Sequence, residues 1–210
     1  MEKNIFRYLI IFSLLFISMR GADFQYSKVE EVPDLSFMPH VYSGLDVLEQ
    51  MDFKPLHGKT IAVFCNQTAV NRNGRHILDI LKDRPNIYTY VILTPQYGLF
   101  GDQVNKTKII GKVEKDPNTG ARIVNLLDRF VKPPEWTIRD VDIVLVDLQD
   151  TGVRYTTYMT TLTKIFEVAS ELHKPVIVLD RPNPIRGDRM DGPIVRPNYQ
   201  SFEGYHLVPI

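Results

Sequence analysis

The sequence predicts an α/β fold, an open and mostly parallel sheet flanked by helices, and three observations carry that reading. Apolar runs of strand length recur as "KTIAVFC" (59–65), "NIYTYVIL" (86–93), "VDIVLVDL" (141–148) and "KPVIVLD" (174–180). They are continuous rather than alternating, as strands buried on both faces are. Segments of helical periodicity lie between them, and strands alternating with helices over this length argue for a parallel sheet. Each run also ends in a cluster of polar and charged residues, and the edge beyond the strand carboxyl ends is where open α/β sheets bind ligands.

The elements follow in order. Residues 1–22, "MEKNIFRYLIIFSLLFISMRGA", place Lys3 and Arg7 ahead of an apolar stretch from Leu9 to Met19. That stretch is short for a membrane span, which needs roughly 20 apolar residues, so a secretory signal is expected, with an uncleaved anchor as the alternative. No stable span is expected after cleavage. Residues 23–42 lack a sustained period and read as a linker, leaving 43–210 as the folded domain. "SGLDVLEQM" (43–51) predicts a short helix capped by Ser43. After the strand at 59–65 come the polar loop "NQTAVNRNG", an amphipathic helix at 75–83, the strand at 86–93 and the polar turn "TPQYGLFGDQ" (94–103). "ARIVNLL" (121–127) is a further strand, and "PPEWTIRD" (133–140) opens on prolines where a short helix begins. The clearest buried strand, 141–148, leads into a helix over 155–172, the strand at 174–180 and the turns of "RPNPIRGDRMDGP".

Composition narrows the function. The 210 residues hold 25 basic and 25 acidic side chains, a formal charge of zero, and 44% hydrophobic residues. That allows a core of ordinary size and leaves no electrostatic footprint for nucleic acid or for a polybasic membrane contact. Cys65 is the sole cysteine, so no intramolecular disulfide forms; within an apolar strand it reads as a small buried hydrophobe. No G-x-G-x-x-G follows the first strand, and Walker A and G-x-S-x-G motifs are absent. The five histidines are scattered without zinc-ligand spacing. Neither a cofactor nor a metal is expected.

What remains is the row of strand ends. Asn66-Gln67-Thr68, Pro95-Gln96-Tyr97-Gly98, Asp147-Leu148-Gln149-Asp150 and Asp180-Arg181-Pro182-Asn183 deliver amides, carboxylates and an arginine to one rim. Turn formation alone accounts for any one such cluster, but four at equivalent places point to a site. Carboxylates, amides and tyrosines suit carbohydrate, whose hydroxyls take paired hydrogen bonds and whose glycosidic oxygen is worked on by acids. Asn66, Gln96, Asp147, Asp150 and Asp180 are expected to converge on one concave surface, with Asp150 and Arg154 able to pair and hold their loop.

These same residues resemble a known family. "GKTIAVFCNQTAVNRNG", "VDIVLVDLQDTGVRYTTYMTTL" and "PVIVLDRPNPIRGDRMDGPIV" are similar, in order, to the exo-β-N-acetylmuramidase (NamZ-type) glycoside hydrolases, long a domain of unknown function. The resemblance runs from about Gly44 to Ile210. It implies a Rossmann-like N-terminal domain followed by a smaller C-terminal domain, with the active site in the cleft between them. It further implies an exported bacterial protein, periplasmic or secreted, that removes terminal N-acetylmuramic acid from peptidoglycan fragments. Carried onto this sequence, the Asn-Gln-Thr turn is Asn66, Gln67 and Thr68. The Asp-x-Gln-Asp-x-Gly-x-Arg pattern is Asp147, Gln149, Asp150, Gly152 and Arg154, with Tyr158 as the tyrosine that follows. The Asp-Arg-Pro-Asn-Pro turn supplies Asp180, Arg181 and Asn183. Asp147 and Asp150 then stand as candidate catalytic carboxylates, and the other residues as saccharide contacts. Two departures qualify this. The family's usual Pro-Glu-His-Gly is Pro95-Gln96-Tyr97-Gly98 here, so Gln96 and Tyr97 occupy the places of the leading catalytic acid and of a histidine. The chain also stops at Ile210, where family members continue. An impaired hydrolase is the expectation, with Asp102 as the nearest replacement carboxylate. The alternative is an inactive saccharide-binding relative or a gene fragment.

Overall fold

The computed structural model describes residues 41–101, 114–126 and 132–206. The expected signal segment, most of the linker, Asp102 and Leu127 lie outside the described residues. The elements are α1 (Gly44–Gln50), β1 (Thr60–Cys65), α2 (Ile77–Lys82), β2 (Tyr88–Thr94), β3 (Glu114–Lys115), β4 (Arg122–Asn125), α3 (Trp136–Arg139), β5 (Ile143–Asp147), α4 (Thr157–Glu171) and β6 (Val176–Val178). Short 3₁₀ turns sit at Lys54–Leu56 and Pro197–Tyr199.

The six strands form one sheet in the order β3-β4-β2-β1-β5-β6. Every pairing is parallel except β3 with β4. From β1 the chain moves outward to β2, and later returns to lay β5 along the other side of β1. The chain therefore changes direction between β1 and β5, the switch point beyond whose strand ends open α/β sheets bind ligands. The predicted α/β sheet is thus present, mostly parallel, with one antiparallel edge.

Alternation along the strands fills both faces. Ile61, Val63 and Cys65 of β1, with Leu145 of β5, pack against Leu45 and Leu48 of α1 and Ile77, Ile80 and Leu81 of α2. Ala62 and Phe64, with Val144 and Val146, pack on the opposite face against Ile138 of α3 and Leu162, Ile165 and Val168 of α4. The unbroken apolar run of a strand like β1 follows from this, since neither face is left to water. Each Val, Leu, Ile or Phe among them contributes about 1.5–3 kcal/mol on burial.

Local chemistry sets the boundaries. Ser43 caps α1 as predicted, its hydroxyl accepting from the Asp46 N–H while the Asp46 carboxylate accepts from the Ser43 N–H, a reciprocal capping box. The helix predicted over 155–172 begins at Thr157, because Thr156 is extended (φ −104°) and serves as its N-cap residue. β3 has no counterpart in the sequence reading. It is made by the "DPNTG" turn, where Asp116 accepts from the Thr119 N–H at 2.7 Å and the Thr119 hydroxyl at 2.6 Å. Gly120 (φ +71°) then returns the chain into β4, a left-handed step suited to glycine.

Candidate functional site

The site begins where β1 runs out. Asn66, the first residue beyond the strand, is 1% exposed. Its Oδ1 accepts from the Thr68 N–H at 3.0 Å and the Thr68 hydroxyl at 2.6 Å, an Asx turn that closes the loop on itself. Its Nδ2 reaches the Tyr158 hydroxyl at 3.5 Å, across to the first turn of α4. Its carbonyl lies 2.9 Å from Nε2 of His76, whose other ring nitrogen caps α2. The Thr68 hydroxyl in turn accepts from the Gln149 N–H at 2.8 Å, joining the β1 loop to the β5 loop across the switch point. Gln67 is exposed on the same turn and lies against Gly101.

From β2 comes Gln96, half-buried, whose Oε1 accepts from the Thr157 hydroxyl at 3.2 Å. Tyr97 beside it is exposed. Burial raises the Tyr158 phenol above its ordinary pKa, offset in part by the Asn66 amide, and the nearby Tyr97 adds to the rise. From the β5 loop, the Asp150 carboxylate accepts from the Gly152 N–H at 3.1 Å and the Thr156 hydroxyl at 3.4 Å. Gln149 Nε2 donates at 2.9 Å to both the Asp150 and Pro182 carbonyls. Arg154 donates to the Pro193 carbonyl. From the β6 loop, Asp180 is exposed, and Asn183 Oδ1 accepts from the N–H groups of Ile185 and Arg186.

The expected convergence is corrected here: of the five residues, Asp150 and Asp180 line one hollow, whereas Asn66, Gln96 and Asp147 do not, and Asn66 and Asp147 are buried. Asp147 does not open onto the same surface as Asp180. Leu145 faces α1 and α2 and Val146 faces α4, so alternation sends Asp147 back to the α1–α2 face. It is fully buried there, with Oδ1 2.7 Å from Arg181 Nε and Oδ2 3.0 Å from Arg181 Nη2. Burial pushes its pKa up, and the paired guanidinium pulls against that shift. A carboxylate with no exposed surface and both oxygens engaged does not touch a ligand. Arg181, expected as a saccharide contact, spends its guanidinium on Asp147 and on the Val70 carbonyl at 3.0 Å.

On the α4 face the strand ends stay open. A hollow of about 170 Å³ lies between β5, β6 and α4, floored by Val146, Leu148, Leu162 and Val178 and bordered by Tyr158, Asp150, Asp180 and part of Arg181, whose guanidinium is engaged with Asp147 and Val70. Two carboxylates over an apolar floor can accept from ligand hydroxyl or amide groups while the floor takes an apolar substituent. Sequence reasoning missed Thr157, Thr156 and His76, which hold Gln96, Asp150 and the Asn66 carbonyl. Thr156 and Thr157 stand between Tyr155 and Tyr158 in the quoted motif, so their position was legible and their role was not. Among the described residues, no three His, Cys, Asp or Glu side chains gather in a metal-holding cluster. No described helix is long and apolar enough to cross a membrane.

Comparison with known proteins places this architecture. The family model described as exo-beta-N-acetylmuramidase NamZ, N-terminal, matches residues 61–210. The peptidoglycan beta-N-acetylmuramidase NamZ of Bacillus subtilis (strain 168) is 35% identical over 172 residues, which is 82% of this chain and 41% of that protein. Two crystal structures of DUF1343 family proteins from Bacteroides fragilis NCTC 9343 match with TM-scores of 0.72 and 0.67 at 34% and 32% identity. The matches cover 81% and 82% of this chain and 43% of each of those chains. The chain spans less than half the length of the relatives it matches. With fold and sequence in agreement, the chain belongs to the NamZ exo-β-N-acetylmuramidase family, matching the N-terminal part.

Proposed function

We propose that this chain binds muramic-acid-terminated peptidoglycan saccharides at the α4-side rim of its sheet, as the N-terminal domain of a cell-envelope hydrolase whose own turnover is impaired. The observation that carries the reading is the side chain of Gln96. It occupies the place where the family resemblance implies the catalytic acid, and its Oε1 is held by Thr157 beside the Asn66–Tyr158 contact. An amide in that position keeps the hydrogen bond and cannot transfer a proton.

Glycoside hydrolysis by the common routes needs two groups acting on opposite sides of the glycosidic bond. Asp150 and Asp180 are the carboxylates that keep surface at this rim, and Asp147 is excluded by its burial. Asp150, held by Gly152 and Thr156, is the better-placed base or nucleophile. Asp180, Asn183 and Tyr158 orient sugar hydroxyls. The missing acid accounts for a loss of about 10²–10⁴-fold, the usual contribution of a general acid. Export to the periplasm or the medium follows from this substrate and from the apolar segment near the N-terminus.

The test pairs binding with turnover. The purified chain is expected to bind a muramic-acid-terminated disaccharide by calorimetry, and to cleave a chromogenic muramic-acid glycoside well below the ~1–10³ s⁻¹ typical of enzymes. Gln96→Glu with Tyr97→His is expected to raise turnover without tightening binding. No binding at millimolar saccharide overturns the proposal, and turnover at ordinary enzyme rates by the unaltered chain overturns the impairment.

A further inference from the structure

Residues 180–183, just beyond β6, are tied, one after another, to different parts of the molecule. The Asp180 carbonyl accepts from the Gly44 N–H at 2.6 Å, at the start of α1. Arg181 grips Asp147 at the end of β5 and, through the same Nη2, the Val70 carbonyl of the β1 loop. The Pro182 carbonyl accepts from Gln149. Asn183 lies so close to Gly152 that a Cβ there would come 2.3 Å from its Oδ1, and Gly152 has φ +79°. The side chain of Asp180 takes part in none of these ties between segments. Its Oδ1 accepts only from the neighbouring Arg181 N–H at 2.9 Å, and the residue is exposed beside the hollow.

We propose that Arg181 is a positioning residue. Its buried double contact with Asp147, extended to Val70, fixes the β6 loop against the β1 and β5 loops and so holds the Asp180 carboxylate in place for ligand at the hollow that Asp150 also lines. This rests on the saccharide-binding reading above and assigns Asp147 and Arg181 to the support of the site. A guanidinium suits the task because its fork meets both oxygens of a carboxylate and still has a donor for a carbonyl. Lysine keeps the charge and lacks that geometry.

The test uses the whole chain, a muramic-acid-terminated disaccharide as probe, and backbone hydrogen exchange. Arg181→Lys is expected to weaken binding roughly tenfold, with a double-mutant cycle against Asp180→Asn showing that the two losses do not multiply, because one residue acts through the other. Exchange is expected to quicken in Arg181→Lys at the loops following β1 and β5 as well as at 180–183, and to stay unchanged in Asp180→Asn. Losses that multiply fully, or an Arg181→Lys affinity within twofold of the original, overturn the proposal. Faster exchange confined to 180–183 overturns it too. If the unaltered chain binds no saccharide, the proposed function fails by itself, and the exchange pattern alone then decides the coupling of the loops. Should Arg181→Lys not fold, Asp147→Asn weakens the same contact from its other side and is read in the same way.

Discussion

At the carboxyl end of β5, two aspartates three residues apart are used in opposite ways. Asp147 turns towards α1 and α2, loses all contact with water and closes on Arg181. Asp150 lies beyond the strand, keeps part of its surface and borders the hollow on the α4 side. The same contrast runs along the whole rim. On the α1–α2 side, Asp46, His76, Asp147 and Arg181 bond to one another's loops. On the α4 side, Tyr158, Asp150 and Asp180 retain surface around a hollow, and Gln96, half-buried, is held at the start of α4 by Thr157. A row of polar residues at strand ends is therefore two rows, interleaved by the pleat. The buried row organises loops, and the open row is available to a ligand.

The largest effect expected from breaking this contrast is at Asp147. Asp147→Ala leaves the Arg181 guanidinium, 10% exposed, without its counter-charge. Removing one partner of a buried pair costs about 3–5 kcal/mol, because the remaining charge stays out of water. Urea denaturation is the measurement. A loss below about 1 kcal/mol, the range of surface pairs, would place Asp147 with the open row.

Next comes the tie between α1 and β6. A Cβ at Gly44 would lie 2.5 Å from both the Asp180 nitrogen and the Leu179 Cα, which are backbone atoms with little room to move. Gly44→Ala is expected to cost about 1–3 kcal/mol as an overpacked contact, despite the better helix propensity of alanine. Thermal unfolding tests it, and a stabilised variant would show that the junction is loose.

The sequence carried the elements well and the two rows poorly. Continuous apolar runs mark β1, β2 and β5 because both faces of each are covered, and the Ser43 cap is legible because its chemistry is local. The β3–β4 hairpin escaped notice: β3 is two residues long and has no periodicity, though "DPNTG" is a turn signal. Asp147 looked catalytic because a motif lists residues in one dimension, whereas the pleat sends neighbours to opposite faces. Counting alternation from Leu145 and Val146 would have moved it to the α1–α2 side. Its partner was not readable, since Arg181 arrives from another strand and meets Asp147 only through the β5–β6 pairing, Val146 beside Val178.

A smaller effect concerns Asp46, which fastens α1 to the β1 loop. Burial works against its charge, yet the Arg72 N–H, the Ser43 hydroxyl and the Ser43 N–H all donate to it, and its pKa ends below the ordinary 3.8. A carboxyl whose folded pKa is depressed contributes stability above its unfolded value. That contribution is lost as pH falls through the folded value, so it fades below about pH 4. Ser43→Ala is expected to cost about 1 kcal/mol at neutral pH through the lost cap, and to flatten the acid limb of stability against pH. An unchanged acid limb would show that Ser43 does not help hold the Asp46 charge.

The smallest change in stability is expected on the open row, where it is most informative. Tyr158→Phe removes only a hydroxyl, whose one described hydrogen bond, to Asn66 Nδ2, is long at 3.5 Å. The ring, half-buried above Val146 and Leu148, stays in place. A long bond of this kind contributes little, so unfolding is expected to shift by less than about 0.5 kcal/mol. Affinity for a muramic-acid-terminated disaccharide is expected to fall several-fold, because a hydroxyl placed at the rim of the hollow can bond a sugar and a bare ring edge cannot. The pairing of those two results distinguishes the rows: Asp147→Ala disturbs folding first and binding as a consequence, whereas Tyr158→Phe touches binding alone. A stability loss at Tyr158 of more than 1 kcal/mol, with affinity unchanged, would move it to the buried row and leave Asp150 and Asp180 as the ligand-facing groups.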